Sequence, residues 1–477
     1  MIRGYPHRPS VPTGGALGLH ISTDAERFRV DFYRRGNELV LVLRSEWYEG
    51  VNAPAPPHPD GKVGPSPAEA WGWPLYKFSV PEDWRTGLYL AVFVTGDSDG
   101  AATSFPDPED IEAWDREWFI VMRAVPGASN ILYKKEFATR TAYNPQNGSG
   151  GNLYADPVYV NESGYKGHKV SLHRSAGGTG WLIAGELKFI AWLERNGFVI
   201  DYCTDIDIHE DTSLLSHYKL LLAVGHEEYW SSEMRGHIEA FVDAGGNVAF
   251  FSGNTCWWRI RFVDDNTAYV CDTDHAVHGE YPYLLAKDQW WTPEPRGVGN
   301  PENRLTGVSF RNGGAWANGP AVGYTVQNSS HWVFAGTGLR DGDILGESVS
   351  LVGYECDGAA FVRDKKGIAV ATGDDGTPSN FLILGVAELS PVAAYYYDTV
   401  QLAWHCAPRE PSTKSPYAAT MGIYEASGTV FTGSAVEWPK AVGGGFDPIV
   451  ERVARNVIER LMGISGFTLD HDLPGLD

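Results

Sequence analysis

The sequence has 477 residues, 43% hydrophobic and 21% charged, so it is too long for a single hydrophobic core and too apolar for extensive disorder. Its formal net charge of −22 argues against binding to nucleic acids or membranes, because both attract clustered lysine and arginine. The 17 tryptophans and 23 tyrosines suit interfaces, sugar sites or oligomer contacts.

The first part of the chain is predicted to be a β-domain. Residues 27–34 alternate between polar and apolar side chains, and short apolar runs at 88–95 and 118–122 are separated by Gly, Pro and Asp. Several such strands without a helix among them predict a small β-sandwich over residues 1–127. The Pro-rich segment 53–67 is predicted to be a long loop within it.

After about residue 128 the predicted strands alternate with helices. This order predicts an α/β domain over residues 128–477, with a parallel sheet covered by helices on both faces. Between about 257 and 385 the helices fade, which indicates a β-rich insertion. Asp447 and Pro448 are typical of the N-cap and first residue of a helix. The predicted helices are 184–196, 231–244 and 447–462, and the predicted strands are 198–203, 220–224 and 248–251.

The predicted strand 220–224 ends in Gly225-His226-Glu227-Glu228-Tyr229-Trp230, directly before a helix. Ligands of open α/β sheets bind at the carboxyl ends of the strands, and a glycine permits a tight turn there. This turn contains no Ser or Cys nucleophile, so His226 and Glu228 indicate acid/base chemistry or metal ligation. The alternative is that both side chains only cap the helix and form local hydrogen bonds.

Polar residues also follow the neighbouring predicted strands. Asn254 ends the run Phe250-Phe251-Ser252-Gly253 and should lie beside the first turn. Asp205, Asp207 and His209 follow the strand at 198–203, and we interpret them as loop residues and a cap for the next segment.

The sequence shows neither a membrane-spanning segment nor a secretion signal. No apolar run approaches the ~20 residues that span a bilayer, and residues 1–19 contain no signal-peptide core. The five cysteines form no C-x-x-C pair, so neither a disulfide framework nor a zinc knuckle is indicated. We therefore expect a cytoplasmic protein.

Several segments form a recognisable combination. They are Thr141-Ala142-Tyr143-Asn144, Cys203-Thr204-Asp205-Ile206-Asp207-Ile208-His209, Gly225 to Ser231, Gly245-Gly246 with Phe251-Ser252-Gly253-Asn254, Gly353-Tyr354-Glu355-Cys356-Asp357, and Phe431-Thr432-Gly433-Ser434 with Trp438. From about residue 84 to the C-terminal helix, the chain resembles the C-terminal part of the large (beta) subunit in the N,N-dimethylformamidase family. The resemblance implies a glutamine-amidotransferase-like α/β domain preceded by an Ig-like β-sandwich.

The resemblance also implies a mononuclear ferric iron. Carried over by position, its ligands would be Tyr89, Tyr143 and Glu228. Phenolate and carboxylate oxygens are hard ligands that suit Fe(III), and zinc is the alternative metal.

Three further residues would complete the site that the resemblance implies. His226 would carry protons, Asn254 would orient the substrate, and Glu355 would belong to the pocket. The activity would be hydrolysis of the C–N bond of small linear amides, with a metal-activated water attacking the carbonyl.

The same resemblance bears on partners and on the substrate. The family's large subunit has a further N-terminal domain, which we expect this chain to lack, and a separate small subunit accompanies it. We expect a homo-oligomer that uses a small amide, whose identity these differences leave open. The loop at 53–67 and the Trp-rich stretch 257–291 are candidates to line a different pocket.

Two other functions compete with the amidase prediction. A non-catalytic relative would use aromatic surfaces to bind glycans or a partner protein. A thiol-dependent glutamine amidotransferase is disfavoured because no cysteine occupies the turn at Gly225.

Overall fold

The structure is a computed structural model, and it describes residues 1–57, 66–144, 152–153, 169–175, 180–271, 288–295, 297–315, 322–388 and 415–463. Across these ranges no helix has both the length and the apolar character needed to cross a membrane. The cysteines that they contain are buried free thiols: Cys203, Cys256, Cys271 and Cys356.

The N-terminal residues form two sheets around one apolar core. Side chains of alternate residues, such as Phe28, Val30 and Phe32, point into this core. Three of the strands lie within residues 2–23, where the sequence analysis predicted none, because Pro and Gly break the apolar pattern there. The strands are β1 (Ile2–Pro6), β2 (Ser10–Pro12), β3 (Ala16–Thr23), β4 (Arg27–Arg35), β5 (Leu39–Arg44), β6 (Tyr48–Glu49), β7 (Leu75–Ser79), β8 (Gly87–Gly96) and β9 (Arg116–Met122). Their orders are β1-β3-β7 and β2-β9-β8-β4-β5, with β6 paired to β4.

The rest of the chain is built on a nine-stranded sheet. Its members, in chain order, are β10 (Ile131–Lys135), β12 (Ile200–Thr204), β13 (Leu220–His226), β15 (Asn247–Gly253), β19 (Tyr324–Val326), β20 (Ile344–Leu345), β24 (Leu382–Glu388), β25 (Ala418–Glu425) and β26 (Thr429–Thr432). Shorter strands in the same region are β11 (Lys169–Ser171), β14 (Tyr229–Ser231), β16 (Trp258–Val263), β17 (Ala268–Val270), β18 (Gly314–Ala315), β21 (Glu355–Gly358), β22 (Phe361–Arg363) and β23 (Ala369–Ala371).

The large sheet is mixed, whereas the sequence analysis predicted a parallel one. Its order is β12-β10-β13-β15-β26-β25-β24-β19-β20, with parallel pairing from β12 to β26 and antiparallel pairing beyond β26. The direction changes where a short connection joins β25 to β26 as a hairpin, which only antiparallel strands permit.

Helices pack on both faces of this sheet. Leu220, Leu222 and Val224 of β13 belong to one core, and Leu221 and Ala223 belong to the other, because side chains alternate along a strand. This two-sided burial explains why β13 is apolar almost throughout. The helices are α1 (Ala138–Tyr143), α2 (Gly180–Arg195), α3 (Asp205–Glu210), α4 (Ser232–Asp243), α5 (Asn303–Thr306), α6 (Phe310–Gly313), α7 (Trp438–Gly443) and α8 (Pro448–Leu461). Short 3₁₀ helices cover Leu214–His217, Trp332–Phe334 and Glu347–Val349.

The predicted cap of the last helix is confirmed and can be tested. Asp447 accepts hydrogen bonds from the N–H groups of Ile449 (3.0 Å) and Val450 (3.2 Å) at the start of α8. We expect Asp447→Ala to lower the free energy of unfolding by about 1 kcal/mol, because these two donors lose their acceptor. Asp447→Asn keeps an acceptor oxygen and should lower the free energy of unfolding far less. Urea denaturation measures both, and equal losses would contradict the capping role.

Candidate active site

The backbone at the end of β13 brings His226 to the carboxyl edge of the sheet. The strand continues through Gly225 to His226, two residues further than the sequence pattern predicted. Gly225 has a φ of +92°, and a Cβ added there would lie 3.2 Å from a carboxylate oxygen of Glu186. A side chain at this position would therefore be both strained and crowded. In the neighbouring strand Gly253 is paired with His226, so Asn254 follows at the same edge.

Four side chains meet around the His226 ring. Its Nε2 lies 2.7 Å from Glu355 Oε2 and 3.4 Å from Glu228 Oε2. The Asn254 amide nitrogen donates to Glu355 Oε2 at 3.3 Å and lies 3.5 Å from His226 Nε2. The Tyr143 hydroxyl donates to Glu228 Oε2 at 2.7 Å. The structure thus brings together Tyr143, His226, Glu228, Asn254 and Glu355, all of which the sequence analysis placed in the site.

Helix α1 carries Tyr143 and is fixed to the sheet by two buried side chains. Asp205 Oδ2 accepts hydrogen bonds from the N–H groups of Phe137 (2.9 Å) and Ala138 (2.7 Å) at the start of α1. Thr139 Oγ1 accepts one from the N–H of Glu228 at 3.1 Å. These bonds set the position of Tyr143 relative to Glu228.

The lysines of β10 lie behind the site and pair with other carboxylates. Lys134 forms a fully buried ion pair with Glu227, and Lys135 pairs with Glu136 and Glu186. Burial raises the pKa of Glu227 to about 7, although the charge of Lys134 opposes this. Glu227 is therefore held in the interior by Lys134, while the next residue, Glu228, faces His226.

The carboxylates around His226 raise the pKa of its ring. Burial lowers the pKa of His226, but the charges of Glu355 and Glu228 and the hydrogen bond to Glu355 outweigh burial and raise it from 6.5 to about 9. The imidazolium form is thus favoured between the buried carboxylate of Glu228 and the half-buried carboxylate of Glu355.

A cleft of about 340 Å³ opens beside His226. This size falls within the range of small-molecule sites. Tyr354, which the sequence analysis did not single out, lines the cleft, and its phenol pKa is raised first by the charge of Glu355, then by burial and the charge of Glu228. The sequence signal that could have identified Tyr354 is its position directly before Glu355 in the segment that resembles the family. The cleft is lined by Ala184, Gly185, Lys188, Gly225, His226, Tyr354, Val436, Glu437, Pro439 and Lys440.

Tyr89 requires a correction, because the structure does not bring it to this group. Its ring stacks on Trp84 at 4.7 Å within the sandwich core, and its hydroxyl donates to the Arg85 carbonyl at 2.7 Å. The charges that act on its phenol are those of Arg34, Arg85 and Glu194. Glu194 lies at the end of α2, which leads into the start of β12, whereas the site lies where the parallel strands end. Tyr89 is thus a core residue of the N-terminal sheets, on the side where the parallel strands of the large sheet begin.

The polar residues after β12 have structural roles. Asp207 forms a capping box with Thr204 at the start of α3, and His209 Nδ1 lies 2.9 Å from Ser231 Oγ. Asp205 caps α1, a different helix from the one expected. The expected loop is thus the helix α3, and the expected capping role in that segment is confirmed for Asp207 alone.

The described start of the Trp-rich stretch 257–291 lies in the interior of the protein. Trp257 and Trp258 are 1% exposed and share a core cluster with Ala138 and Ala142 of α1, against which Tyr143 packs, and neither lines the cleft beside His226. Residues 272–287 of that stretch, and residues 58–65 of the Pro-rich loop, lie outside the described residues.

Comparison with known proteins identifies the relatives of this chain. The family described as "N,N-dimethylformamidase beta subunit-like, C-terminal" matches residues 24–448, which is most of the chain. The chain belongs to this family. The resemblance found in the sequence is thereby confirmed.

Two curated relatives carry the name N,N-dimethylformamidase beta subunit. The protein from Paracoccus aminophilus is 24% identical over 322 residues, and the protein from Alcaligenes sp is 22% identical over 321 residues. Each match covers 61% of this chain and 38% of the relative, so the chain aligns with well under half of each relative's length.

The contact between Thr139 and Glu228 gives a first test of the site's framework. Thr139→Val removes the acceptor of buried N–H groups at nearly constant volume, so we expect a loss of about 1–3 kcal/mol in the free energy of unfolding. Thr139→Ser keeps the hydroxyl and removes one methyl group, which should cost about 1 kcal/mol. Urea denaturation of both variants measures the difference. A Ser variant as unstable as the Val variant would show that the hydroxyl contributes nothing.

The charge balance around His226 gives a second test, in protein freed of metal with a chelator. NMR titration of labelled histidine rings should give a pKa of about 9 for His226, assigned by its loss in His226→Asn. Since this value lies above the ordinary 6.5, the stabilisation is fully present below pH 6.5 and is lost as the pH rises through about 9. Glu355→Gln should lower the pKa because it removes the closest negative charge. An unchanged pKa in that variant would contradict the pairing.

Proposed function

We propose that this protein is a metal-dependent hydrolase that cleaves the C–N bond of small amides. The observation that carries the proposal is the buried group in which the Tyr143 hydroxyl contacts Glu228 and His226 lies between Glu228 and Glu355. The group lies at the carboxyl edge of a sheet and beside a cleft, where α/β enzymes bind their ligands. Family membership supports the same chemistry.

The donor set of this group fits a hard, highly charged cation. Tyr143 and Glu228 would hold the metal through a phenolate and a carboxylate, the oxygen ligands that suit ferric iron. Glu355 adds a second carboxylate within the same group, which further favours a positive charge at its centre. When bound, a ferric ion supplies Lewis acidity, which lowers the pKa of water and polarises a carbonyl oxygen. The fit rests on Tyr143 and Glu228, and Tyr89 does not contribute to it.

His226 is the residue placed to move protons. Its pKa of about 9 in the metal-free protein keeps it protonated at neutral pH. Neutralisation of the charge on Glu228 by a cation would lower that pKa, so that His226 can both accept and donate a proton. His226 would then take the proton of the attacking water and return it to the leaving amine. Glu355 stabilises the imidazolium that forms between these two steps.

Asn254 keeps this proton carrier in place. Its amide nitrogen donates to Glu355 and lies close to His226 Nε2, so it joins the two side chains. Asn254 has a positive φ of 49°, a conformation that asparagine tolerates better than most residues. We propose that it fixes the positions of Glu355 and His226 relative to each other and orients the substrate carbonyl.

The substrate is proposed to be a small linear amide. The cleft beside His226, about 340 Å³, suits a ligand of that size. The relatives are named for N,N-dimethylformamide and are named as beta subunits. We therefore propose formamide-like substrates and a complex with a second, different subunit.

The described residues favour neither competing function. The tryptophans whose side-chain burial is described are buried or half-buried, so none of them presents a fully exposed ring to a glycan. Cys256, two residues beyond Asn254, is fully buried, and burial raises its pKa above the ordinary thiol value. A reactive cysteine needs a lowered pKa and solvent access. A thiol nucleophile at Cys256 is therefore disfavoured.

The proposal predicts a coloured protein whose colour depends on Tyr143. Tyrosinate bound to ferric iron absorbs visible light through charge transfer, so Tyr143→Phe should abolish or shift the band, and Glu228→Gln should lose both iron and amide hydrolysis. Tyr89→Phe is the matched control, since its hydroxyl donates to the Arg85 carbonyl and its charged neighbours are Arg34, Arg85 and Glu194, none of which belongs to the group around His226. Elemental analysis, visible spectra and hydrolysis of a panel of formamides, acetamides and anilides measure these effects.

Two outcomes would contradict the proposal. A wild-type preparation without metal that still hydrolyses amides would exclude metal dependence. Loss of the visible band in Tyr89→Phe but not in Tyr143→Phe would show that the site is elsewhere.

A further inference from the structure

A second group of candidate metal ligands lies outside the proposed active site. His7 follows β1, His20 lies in β3, and His173 follows β11. One ring nitrogen from each of these three histidines can be chosen so that all lie within 4.8 Å of one another. The ring centroids are 5.1–5.4 Å apart. Segments from both parts of the chain therefore converge on one point.

Hydrogen bonds to carbonyl groups orient two rings of this histidine cluster. His20 Nδ1 lies 2.7 Å from the Trp73 carbonyl oxygen, and His173 Nε2 lies 2.9 Å from the His7 carbonyl oxygen. A carbonyl can only accept, so these nitrogens carry the hydrogens and the other nitrogen of each neutral ring keeps its lone pair. Metal-binding histidines are oriented by carbonyl groups in this way.

One pair of ring nitrogens has the separation of two ligands on a tetrahedral ion. His7 Nδ1 and His20 Nε2 lie 3.2 Å apart. Two nitrogens bound to Zn²⁺ at about 2.0–2.1 Å with tetrahedral angles are separated by about 3.3 Å. His7 is exposed, so a fourth coordination position can be taken by water.

The rings are held by their surroundings without a metal. Tyr5, which is fully buried, stacks on His20 at 4.8 Å and on His173 at 5.8 Å. Gly18 leaves room for His7, because a Cβ at position 18 would lie 3.0 Å from the His7 Cβ. Burial lowers the pKa of both His20 and His173, which favours the neutral form that binds metals. The site is thus already organised for binding.

We propose that His7, His20 and His173 bind a divalent transition metal, with Zn²⁺ as the preferred ion. Imidazole nitrogens suit Zn²⁺, Cu²⁺ and Ni²⁺. The ion would tie β1 and β3 to the segment after β11, and so link the N-terminal sheets to the α/β part of the chain. This site is independent of the active-site metal proposed above.

Zn²⁺ titration of metal-free protein without a histidine tag tests the proposal. Isothermal calorimetry should show a binding step in wild type that His7→Ala weakens by more than the roughly 10–100-fold lost when only an outer-shell partner is changed. The rise in melting temperature with Zn²⁺ should be larger in wild type than in His7→Ala. Because His7 is exposed, its replacement should not disturb folding.

Two matched variants separate this site from other sources of binding. His217→Ala removes another exposed histidine and should keep the step. Glu228→Gln removes a proposed active-site ligand and should also keep it, whether or not the amidase proposal holds. Zn²⁺ binding by His7→Ala with wild-type affinity, or no binding by wild type, would overturn the proposal.

Discussion

The site is organised by the placement of one imidazole between two carboxylates, one buried and one half-buried. Glu228 and Glu355 both approach His226 Nε2, and all three side chains are largely removed from water. Bringing two like charges together in the interior costs several kcal/mol unless a positive charge compensates them. The imidazolium supplies that charge in the described structure, and a cation would supply it in the proposed metal-bound enzyme. The proposed chemistry follows from this exchange.

Other buried charged side chains near the site form ion pairs of their own. The lysines of β10 are engaged with Glu227, Glu136 and Glu186, so each of these interior carboxylates has a basic neighbour. Asp205 and Thr139 fix α1 against the sheet, which sets the distance from Tyr143 to Glu228. Precision at the site thus comes from buried hydrogen bonds behind it.

Much of the sheet edge was predictable, because apolar runs and caps mark the strands and helices locally. His226 and Asn254 were expected to be neighbours since parallel strands end at the same edge, and the pairing of β13 with β15 confirms it. Tyr89 was misplaced because a short motif match carries no information about which end of the structure a strand side chain faces. The contact between Tyr143 and Glu228 depends on tertiary hydrogen bonds that Asp205 accepts from the start of α1, which no local pattern reveals. The fold-family names remain predictions.

The most direct test of the account is a crystal structure with anomalous diffraction data at the iron edge, from protein purified without added metal. The account predicts an anomalous peak within bonding distance of the Tyr143 hydroxyl oxygen and the Glu228 carboxylate, with His226 beside it. Iron located away from these two side chains, or crystals of active enzyme with no peak there, would contradict it.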